Sequence, residues 1–159
     1  MGKLVVFEDL LEERRVWRRE GLRVVWTNGC FDLLHAGHVA ALRSARSLGD
    51  VLVVGLNSDR SVRELKGEPR PLIKATDRAC LLSALEMVDR VVIFDGLRCD
   101  QELLRLSPEV WSKSGDYQPD SLDPREREAV TATGGKIVIT PLVPGLSTSS
   151  LLARIKATN

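Results

Sequence analysis

Short runs of apolar, often β-branched residues alternate along this chain with stretches of helical spacing. Five runs are predicted to be strands: Val24–Thr27, Val51–Leu56, Arg90–Phe94, Val110–Lys113 and Lys136–Thr140. Each run is short and mostly apolar, as in strands that are covered on both faces of a sheet. Strands that alternate with helices form right-handed βαβ units. The pattern therefore predicts an α/β fold, with a doubly wound parallel five-stranded sheet and helices on both faces.

The segments between these runs have the spacing and the end signals of helices. A helix after residue 75 is predicted from apolar residues that share one helical face: Leu81, Ala84, Leu85 and Val88. Thr76 and Asp77 are suited to cap its start. Asp123–Thr133 is predicted to be a helix that ends at Gly134 and Gly135. The last helix is expected to open at Ser147 and to bury three apolar residues: Leu151, Leu152 and Ile155.

Residues 1–22 are expected to form a helical extension. Phe7, Leu10, Leu11 and Trp17 mark the apolar side of an otherwise charged stretch, and this helix is expected to pack on the outside of the fold. No repeat and no linker rich in Gly, Ser or Pro divides the chain. We therefore expect residues 1–159 to form a single domain.

Charge and cysteine content narrow the classes of function. The 23 Lys and Arg residues nearly balance the 22 Asp and Glu residues, so the net charge of +1 gives no reason to expect nucleic-acid or membrane partners. The three cysteines are widely spaced and form neither a disulfide framework nor a CxxC motif. Residues 7–20 are too charged for a signal peptide, and the longest apolar run is too short for a membrane span. We therefore expect a cytoplasmic location.

The loop after the first predicted strand carries the most informative chemistry. His35 and His38 are the only histidines of the chain, and they lie on one side of a helix that is just beginning. Gly37, between them, and Gly29 have no Cβ, so an oxygen-rich ligand can approach the backbone. Unpaired N–H groups at the start of a helix attract anions. Because ligands of such folds bind at the carboxyl ends of the strands, the loop predicts a phosphate site.

Two other interpretations of this loop stay open. In the first, His35 and His38 are ordinary helix-cap or surface histidines; their position at the predicted ligand end disfavours this. In the second, they bind zinc together with Cys30, although no fourth ligand is evident. The chain has neither the GxGxxG fingerprint of dinucleotide-binding proteins nor a GxxxxGK[ST] loop.

Two motifs resemble those of the HxGH nucleotidyltransferase superfamily, the cytidylyltransferase-like proteins. GCFDLLHAGH, at residues 29–38, resembles the HxGH motif. GLSTSSLLARI, at residues 145–155, resembles the ISTS-type start of that superfamily's last helix. The two motifs occur in the order of the superfamily and are widely separated, which makes the match specific. The resemblance implies a Rossmann-like fold and the transfer of a nucleoside monophosphate from a triphosphate.

Three further segments resemble D-glycero-β-D-manno-heptose 1-phosphate adenylyltransferases. NSD at residues 57–59, followed by LKGEPRP at residues 65–71, resembles their NSD…LKG..RP segment. WSKSGDY at residues 111–117 resembles VKGGDY, and ALEMVD at residues 84–89 resembles a helix end of the same family. That family also occurs fused to a sugar kinase, for which this chain has no room. The resemblance therefore implies the stand-alone form.

The resemblance also implies roles for individual residues. His35, His38 and Lys66 would be catalytic: the histidines bind the triphosphate and stabilise charge as pyrophosphate departs, and the lysine neutralises phosphate oxygens. The nucleotide would contact Asn28, Gly29, Cys30, Phe31, Gly37, Gly115, Asp116, Tyr117, Gly145, Ser147, Thr148 and Ser149. The acceptor would contact Asp32, Asn57, Arg70 and Arg78, and Arg78 is expected at a phosphate or at a subunit interface.

Some of these residues keep a simpler interpretation. Cys30 is suited to be a small buried hydrophobe, and Lys66 to be a solvated surface lysine. Asp116 is also typical of a turn, and Ser147–Ser149 are typical of a helix cap.

The expected activity is transfer of AMP from ATP to a heptose 1-phosphate, giving ADP-heptose and pyrophosphate. Mg²⁺ is implied with ATP, and the other partners are the sugar 1-phosphate and a second copy in a homodimer. An alternative is a nucleotidyltransferase for another small phosphate, such as glycerol-3-phosphate, ethanolamine phosphate or FMN. A non-catalytic nucleotide-binding regulator is the alternative of another class.

Overall fold

A five-stranded sheet forms the centre of the fold in a computed structural model, which describes residues 2–115, 118–141 and 144–158. Its strands are β1 (Val24–Gly29), β2 (Val51–Asn57), β3 (Arg90–Phe94), β4 (Val110–Ser114) and β5 (Lys136–Thr140). All neighbouring strands pair in parallel, in the order β3-β2-β1-β4-β5. The predicted α/β fold is confirmed, and three of the predicted strands gain one or two residues at their carboxyl ends.

The strand order creates a crevice beside β1. From β1 the chain moves to β2 and then β3 on one side, and it returns to β4 and β5 on the other side. β1 pairs with β2 along its whole length, from Val24 opposite Val51 to Gly29 opposite Leu56. The carboxyl ends of β1, β2 and β4 therefore meet where the winding reverses, which is the usual ligand position of such sheets.

Helices cover both faces of this sheet. Within the described residues the helices are α1 (Phe7–Arg19), α2 (Ala36–Arg46), α3 (Asp59–Lys66), α4 (Ala75–Ser83), α5 (Asp100–Leu106), α6 (Pro124–Ala132) and α7 (Thr148–Ala157). Trp26 and Trp111 belong to the core on one face, together with buried residues of α1, α5 and α6. Val25 and Leu52 belong to the core on the other face, with α2 and α4. Because neighbouring strand residues point to opposite faces, strands of nearly continuous apolar residues serve both cores.

The N-terminal segment is an integral part of the core. Leu10 on α1 is fully buried. The buried guanidinium of Arg14 donates to the carbonyl oxygens of Leu106 and Ser107, at 3.0 and 2.7 Å, and pairs with Glu109 at 2.6 Å. Ahead of α1, the backbone N–H of Val5 donates to the carbonyl of Val91 on β3. The predicted helix is present, but it does not simply pack on the outside of the fold, because Leu10 and Arg14 are buried.

The prediction for α4 was wrong in its cap and its buried face. The helix begins at Ala75 after the cap residue Lys74, and it ends at Ser83, before three of the four predicted face residues. Leu81 is exposed, whereas the buried side consists of Ala75, Arg78, Ala79 and Leu82. A buried arginine takes one position of that side, so the apolar spacing in the sequence indicated the wrong face.

The prediction for α7 was wrong in its burial. This helix has no fully buried residue, and Ile155 is 56% exposed. Leu151 and Leu152 are only partly buried. α7 follows β5, the edge strand of the sheet, so little of the core is available to cover it. No helix in the described part of the chain is long and apolar enough to cross a membrane.

A glycine-for-alanine change in β2 tests the packing of the sheet. A Cβ on Gly55 would overlap the indole of Trp26, with its Cη2 atom at 2.7 Å. Overpacking of this kind costs about 1–3 kcal/mol, so we expect Gly55→Ala to lower the free energy of unfolding by about that amount in urea titration. Trp26→Phe in the same chain should restore part of the loss, with a coupling of at least about 1 kcal/mol. An unchanged urea midpoint for Gly55→Ala would contradict this packing.

Candidate active site

A cavity of about 680 Å³ opens at the carboxyl ends of the central strands. This volume suits a nucleotide-sized ligand. Most of the predicted site residues that the structure describes line the cavity: Asn28, Gly29, Cys30, Phe31, Asp32, His35, Gly37, His38, Asn57, Lys66, Arg70, Ser147, Thr148 and Ser149. Residues far apart in sequence therefore meet at one place.

Two histidines define one wall of this cavity at the start of α2. The imidazoles of His35 and His38 are stacked, with ring centroids 3.9 Å apart. His35 Nδ1 accepts the backbone N–H of Gly37 at 3.1 Å, and His38 Nδ1 accepts the N–H of His35 at 3.3 Å. The pair thus caps the helix with side-chain acceptors.

This capping decides which atom of each imidazole is a donor. A nitrogen that accepts a hydrogen bond carries no proton, so the neutral rings hold their protons on Nε2. Burial lowers the pKa of His35, and burial together with the neighbouring His35 lowers the pKa of His38 to about 4. At neutral pH both imidazoles are neutral, each with one N–H available to a ligand.

Gly37 lets the histidine pair fit against the start of α7. A Cβ on Gly37 would stand 2.9 Å from the imidazole of His35 and 3.0 Å from Cβ of Leu146. Both distances are too short for ordinary packing, so a side chain here would displace one of them. The glycine therefore holds the two helix starts close together.

The start of α7 forms a second anion-attracting end. Ser147 Oγ accepts the N–H of Ser150 at 3.1 Å, and Gly145, in a left-handed conformation with φ of 77°, makes the turn before it. Thr148 Oγ1 donates to the carbonyl of Asp32 at 3.1 Å. This bond joins α7 to the loop after β1. The N-termini of α2 and α7 therefore open onto the same cavity, where helix dipoles favour negative charge.

The carboxylate of Asp32 organises the loop at residues 70–73. It is completely buried and accepts the N–H groups of Leu72 and Ile73 at 2.9 and 3.0 Å. It also pairs with Nε of Arg70 at 2.7 Å. These contacts leave the guanidinium of Arg70 at the cavity wall. Asp32 thus holds Arg70 in place, and the terminal nitrogens of that guanidinium are suited to a phosphate.

Arg78 ties the loops behind the cavity together. Its side chain is fully buried and donates to the carbonyl oxygens of Cys30, Asn57 and Ile73, at 2.5, 2.9 and 2.9 Å. It pairs with Asp59 at 2.7 Å. Arg78 does not line the cavity, and these protein contacts identify it as a positioning residue for the loops after β1 and β2.

Three other predicted residues have defined surroundings. The Asn57 amide donates to Ser61 Oγ at 2.7 Å and to the carbonyl of Gly96 at 3.3 Å, which fixes its plane at the cavity wall. Burial raises the pKa of the Cys30 thiol, so it stays protonated at neutral pH. Phe31 has a left-handed backbone and places its ring 5.4 Å from the ring of His38.

The predicted residues after β4 are only partly described. The N–H of Gly115 donates to the carbonyl of Thr140 at 3.2 Å, and Gly115 does not line the cavity. Asp116 and Tyr117 lie outside the described residues. Their roles stay predictions.

Several residues in or directly behind the cavity wall were not predicted from the sequence. Trp111 Nε1 donates to Asn28 Oδ1 at 3.0 Å and so orients the Asn28 amide. Lys113, Leu97 and Glu126 also line the cavity. The strand at Trp111 and the helix at Glu126 were predicted, but no local signal in the sequence shows that Trp111 meets Asn28 or that Glu126 meets Cys99. Among the residues that the structure describes, no group of three or more His, Cys, Asp or Glu side chains is placed to hold a metal.

A family model and several curated proteins match this chain, and they point to the same family. A family model described as Cytidylyltransferase-like matches residues 26–154. The bifunctional protein HldE of Rhodopseudomonas palustris (strain ATCC BAA-98 / CGA009) is 48% identical over 155 residues, covering 97% of this chain and 31% of that protein. HldE of Pelobacter propionicus is 49% identical over 138 residues, covering 87% of this chain and 28% of that protein. The chain thus spans about a third of the length of the curated relatives it matches.

Two solved structures share the fold. The lipopolysaccharide core biosynthesis protein of Thermoplasma volcanium superposes with a TM-score of 0.62 at 27% identity, covering 77% of this chain and 98% of that one. Pantoate-beta-alanine ligase of Francisella tularensis superposes with a TM-score of 0.59, covering 97% of this chain and 73% of that one. Its identity of 12% makes this a likeness of fold alone.

The histidine environment leads to a prediction about pH. The unfolded chain binds a proton on His38 near pH 6.5, but the folded protein does so only near pH 4. The contribution of His38 to the free energy of unfolding is therefore most favourable above pH 6.5. It falls by about 1–2 kcal/mol, after allowance for solvent screening, as the pH is lowered towards 4. Proton NMR of the two histidines should show a low midpoint for the titration of His38. The His38→Gln variant should show a smaller pH dependence of its unfolding in urea. A midpoint for His38 at or above its ordinary value would contradict the described environment.

Proposed function

The chain belongs to the cytidylyltransferase-like family and is a nucleotidyltransferase, and from this we propose that it transfers AMP from ATP to a heptose 1-phosphate. The products would be ADP-heptose and pyrophosphate. The observation that supports this most is the convergence of two helix N-termini, α2 with His35 and His38 and α7 with Ser147, on one cavity. Lys66 and Arg70 add two cations to the same cavity.

The reaction needs positioning and charge stabilisation more than proton transfer. An oxygen of the acceptor phosphate attacks the α-phosphorus of ATP, and the bond from that phosphorus to the oxygen bridging to the β-phosphorus breaks. Pyrophosphate leaves with the electron pair of that bond. A phosphate monoester has its second pKa near about 6 and is largely dianionic at neutral pH, so the nucleophile needs no general base. The barrier is the approach of two anions, which fixed donors and cations lower.

The site residues divide this work by position. The Nε2–H groups of His35 and His38 would donate to oxygens of the triphosphate. They would stabilise the negative charge that develops on these oxygens as pyrophosphate departs. The N-terminus of α7 would hold the outer phosphates through Ser147, Ser149 and backbone N–H groups. Lys66 would neutralise phosphate oxygens from the end of α3. Arg70, held by Asp32, would bind the acceptor phosphate.

Mg²⁺ is compatible with this donor set as a companion of ATP. Asp32 is committed to Arg70 and two backbone N–H groups, which leaves Glu126 alone among the described carboxylates of the cavity, and one carboxylate forms no protein cage. The ion would be held mainly by triphosphate oxygens and water, and it would supply charge neutralisation.

The choice of acceptor rests on sequence motifs. The LKG..RP segment contributes Lys66 and Arg70 to the cavity, and the SGDY segment follows β4. Both resemble heptose 1-phosphate adenylyltransferases, and the HldE relatives match nearly the whole chain. A homodimer, which the resemblance implies, and a cytoplasmic location, which the cysteine content indicates, belong to the same proposal. Light scattering of the purified protein tests the dimer.

Release of pyrophosphate tests the proposal. Purified protein with Mg²⁺ is given each nucleoside triphosphate in combination with sugar and polyol phosphates, including both heptose 1-phosphate anomers. We expect turnover with ATP and a heptose 1-phosphate. His38→Ala should lower kcat by about 10²–10³-fold, as loss of one charge-stabilising donor does in other enzymes. Lys66→Ala should also lower turnover, while the exposed Lys156→Ala serves as its matched control.

Each other outcome has a definite meaning. Turnover with a different phosphate would keep the mechanism and replace the acceptor. ATP binding without turnover on any acceptor would favour the regulator. Unchanged turnover in a folded His38→Ala protein would contradict the role of the histidine pair.

A further inference from the structure

Glu126 is a buried carboxylate of the cavity that the proposed chemistry leaves without a role. It lies in the first turn of α6 and is only 8% exposed. Glutamate is rarely buried to this degree unless it has partners. Because it also lines the cavity, its position calls for a ligand-related explanation.

One carboxylate oxygen of Glu126 is hydrogen-bonded to Cys99, and the other is available to a ligand. Oε1 accepts the backbone N–H of Cys99 at 3.0 Å and lies 3.4 Å from the Cys99 sulfur. Among the described residues Oε2 accepts no hydrogen bond, and it is not sealed from solvent. A carboxylate has about four acceptor positions, so Oε2 can take hydrogen bonds from a ligand. The bond from Cys99 fixes the direction in which it does so.

Glu126 stands on the side of the sheet away from the histidines. Ala129 and Val130 of α6 pack in the core with α1 and α5, whereas Leu42 and Ala45 of α2 pack in the core on the opposite face. The partner Cys99 follows β3, two residues after Leu97 at the cavity wall. The carboxylate therefore belongs to a helix on the face of the sheet opposite α2, the helix that carries the histidines.

The negative charge of Glu126 determines which part of the substrates it can bind. A carboxylate repels phosphate groups and attracts hydroxyl donors. The triphosphate is drawn to the starts of α2 and α7, so a hydroxyl-bearing ring is the part left for this side of the cavity. The larger and more hydroxylated of the two candidate rings is the acceptor sugar, and the other is the ribose of the nucleotide.

We infer that Glu126 binds ring hydroxyl groups of the acceptor sugar and thereby selects a polyhydroxylated phosphate as substrate. This inference rests on the proposed function and extends it to the recognition of the sugar. Glu126 is a binding residue in this account and takes no part in proton transfer. Its bond to Cys99, at the start of α5, keeps the carboxylate in place before the sugar arrives.

Steady-state kinetics of Glu126→Gln test the inference. The amide keeps an oxygen for Cys99 but loses the charge. A hydrogen bond to a charged group is worth enough that we expect KM for the sugar 1-phosphate to rise at least about tenfold, with KM for ATP within about twofold. Glu128→Gln, an exposed glutamate two residues further along α6, is the matched control and should leave both constants unchanged.

Sugar 1-phosphates that lack single ring hydroxyls identify the contact. The wild-type protein should bind one analogue distinctly more weakly, and Glu126→Gln should lose little further for that same analogue. A rise in KM for ATP alone would overturn the inference and assign the carboxylate to the nucleotide ribose. Equal rises in both constants together with a lower melting temperature would also overturn it, in favour of a structural tie between α5 and α6.

Calorimetry separates this inference from the proposed function. If the wild-type protein releases no pyrophosphate, the proposed function fails, and binding of a sugar 1-phosphate is measured directly. Weaker binding to Glu126→Gln than to wild type and Glu128→Gln would still support the sugar site. No binding to the wild type, or equal binding to all three proteins, would overturn it.

Discussion

The buried carboxylate of Asp32 is the contact on which the arrangement of the cavity depends. Its side chain holds the loop at residues 70–73 through Arg70, Leu72 and Ile73, and its carbonyl oxygen accepts from Thr148 on α7. Two segments far apart in sequence, residues 70–73 and the start of α7, are thus fixed to the loop after β1. A buried charge is tolerable only with such partners, because a carboxylate without them would carry its full desolvation cost. The fold therefore places a strong, directional restraint where ligands enter.

The anion-attracting character of the site comes mainly from backbone and cations rather than from charged histidines. Both imidazoles are depressed in pKa and neutral at physiological pH. The N-termini of α2 and α7, with Lys66 and Arg70, supply the positive potential. Such groups are in place before a substrate binds, and a preorganised environment of this kind needs little rearrangement during phosphoryl transfer.

The sheet and much of the cavity follow from local signals in the sequence. Buried parallel strands require long apolar runs, so β2 is readable without any structure, and parallel strands bring their following loops to one edge. The motif at His35–His38 and the serines before α7 are local as well. Their meeting in one cavity follows from topology, which the alternation of strands and helices already predicts.

The remaining features depend on contacts between distant segments. Arg78 is buried because its guanidinium finds three carbonyl oxygens and Asp59, so a charged residue occupies the inner side of α4. Glu126 resembles an ordinary first-turn glutamate until α5 and α6 pack and bring it to Cys99. Neither partner set is visible in the neighbouring sequence, since side-chain spacing describes one element at a time.

The stacked histidines serve the backbone and the ligand with opposite edges of the same rings. The Nδ1 atoms accept backbone N–H groups at the start of α2, which leaves Nε2 of each ring for a ligand in the cavity that both residues line. Aspartate would cap the helix equally well but would present no donor beyond the cap. Lysine would bring charge to the cavity but could not accept the backbone N–H groups. Substitution at these two positions is therefore restricted both by the helix cap and by the ligand. A protein of this fold that had lost its activity would still have a reason to retain the two histidines, since they cap the helix.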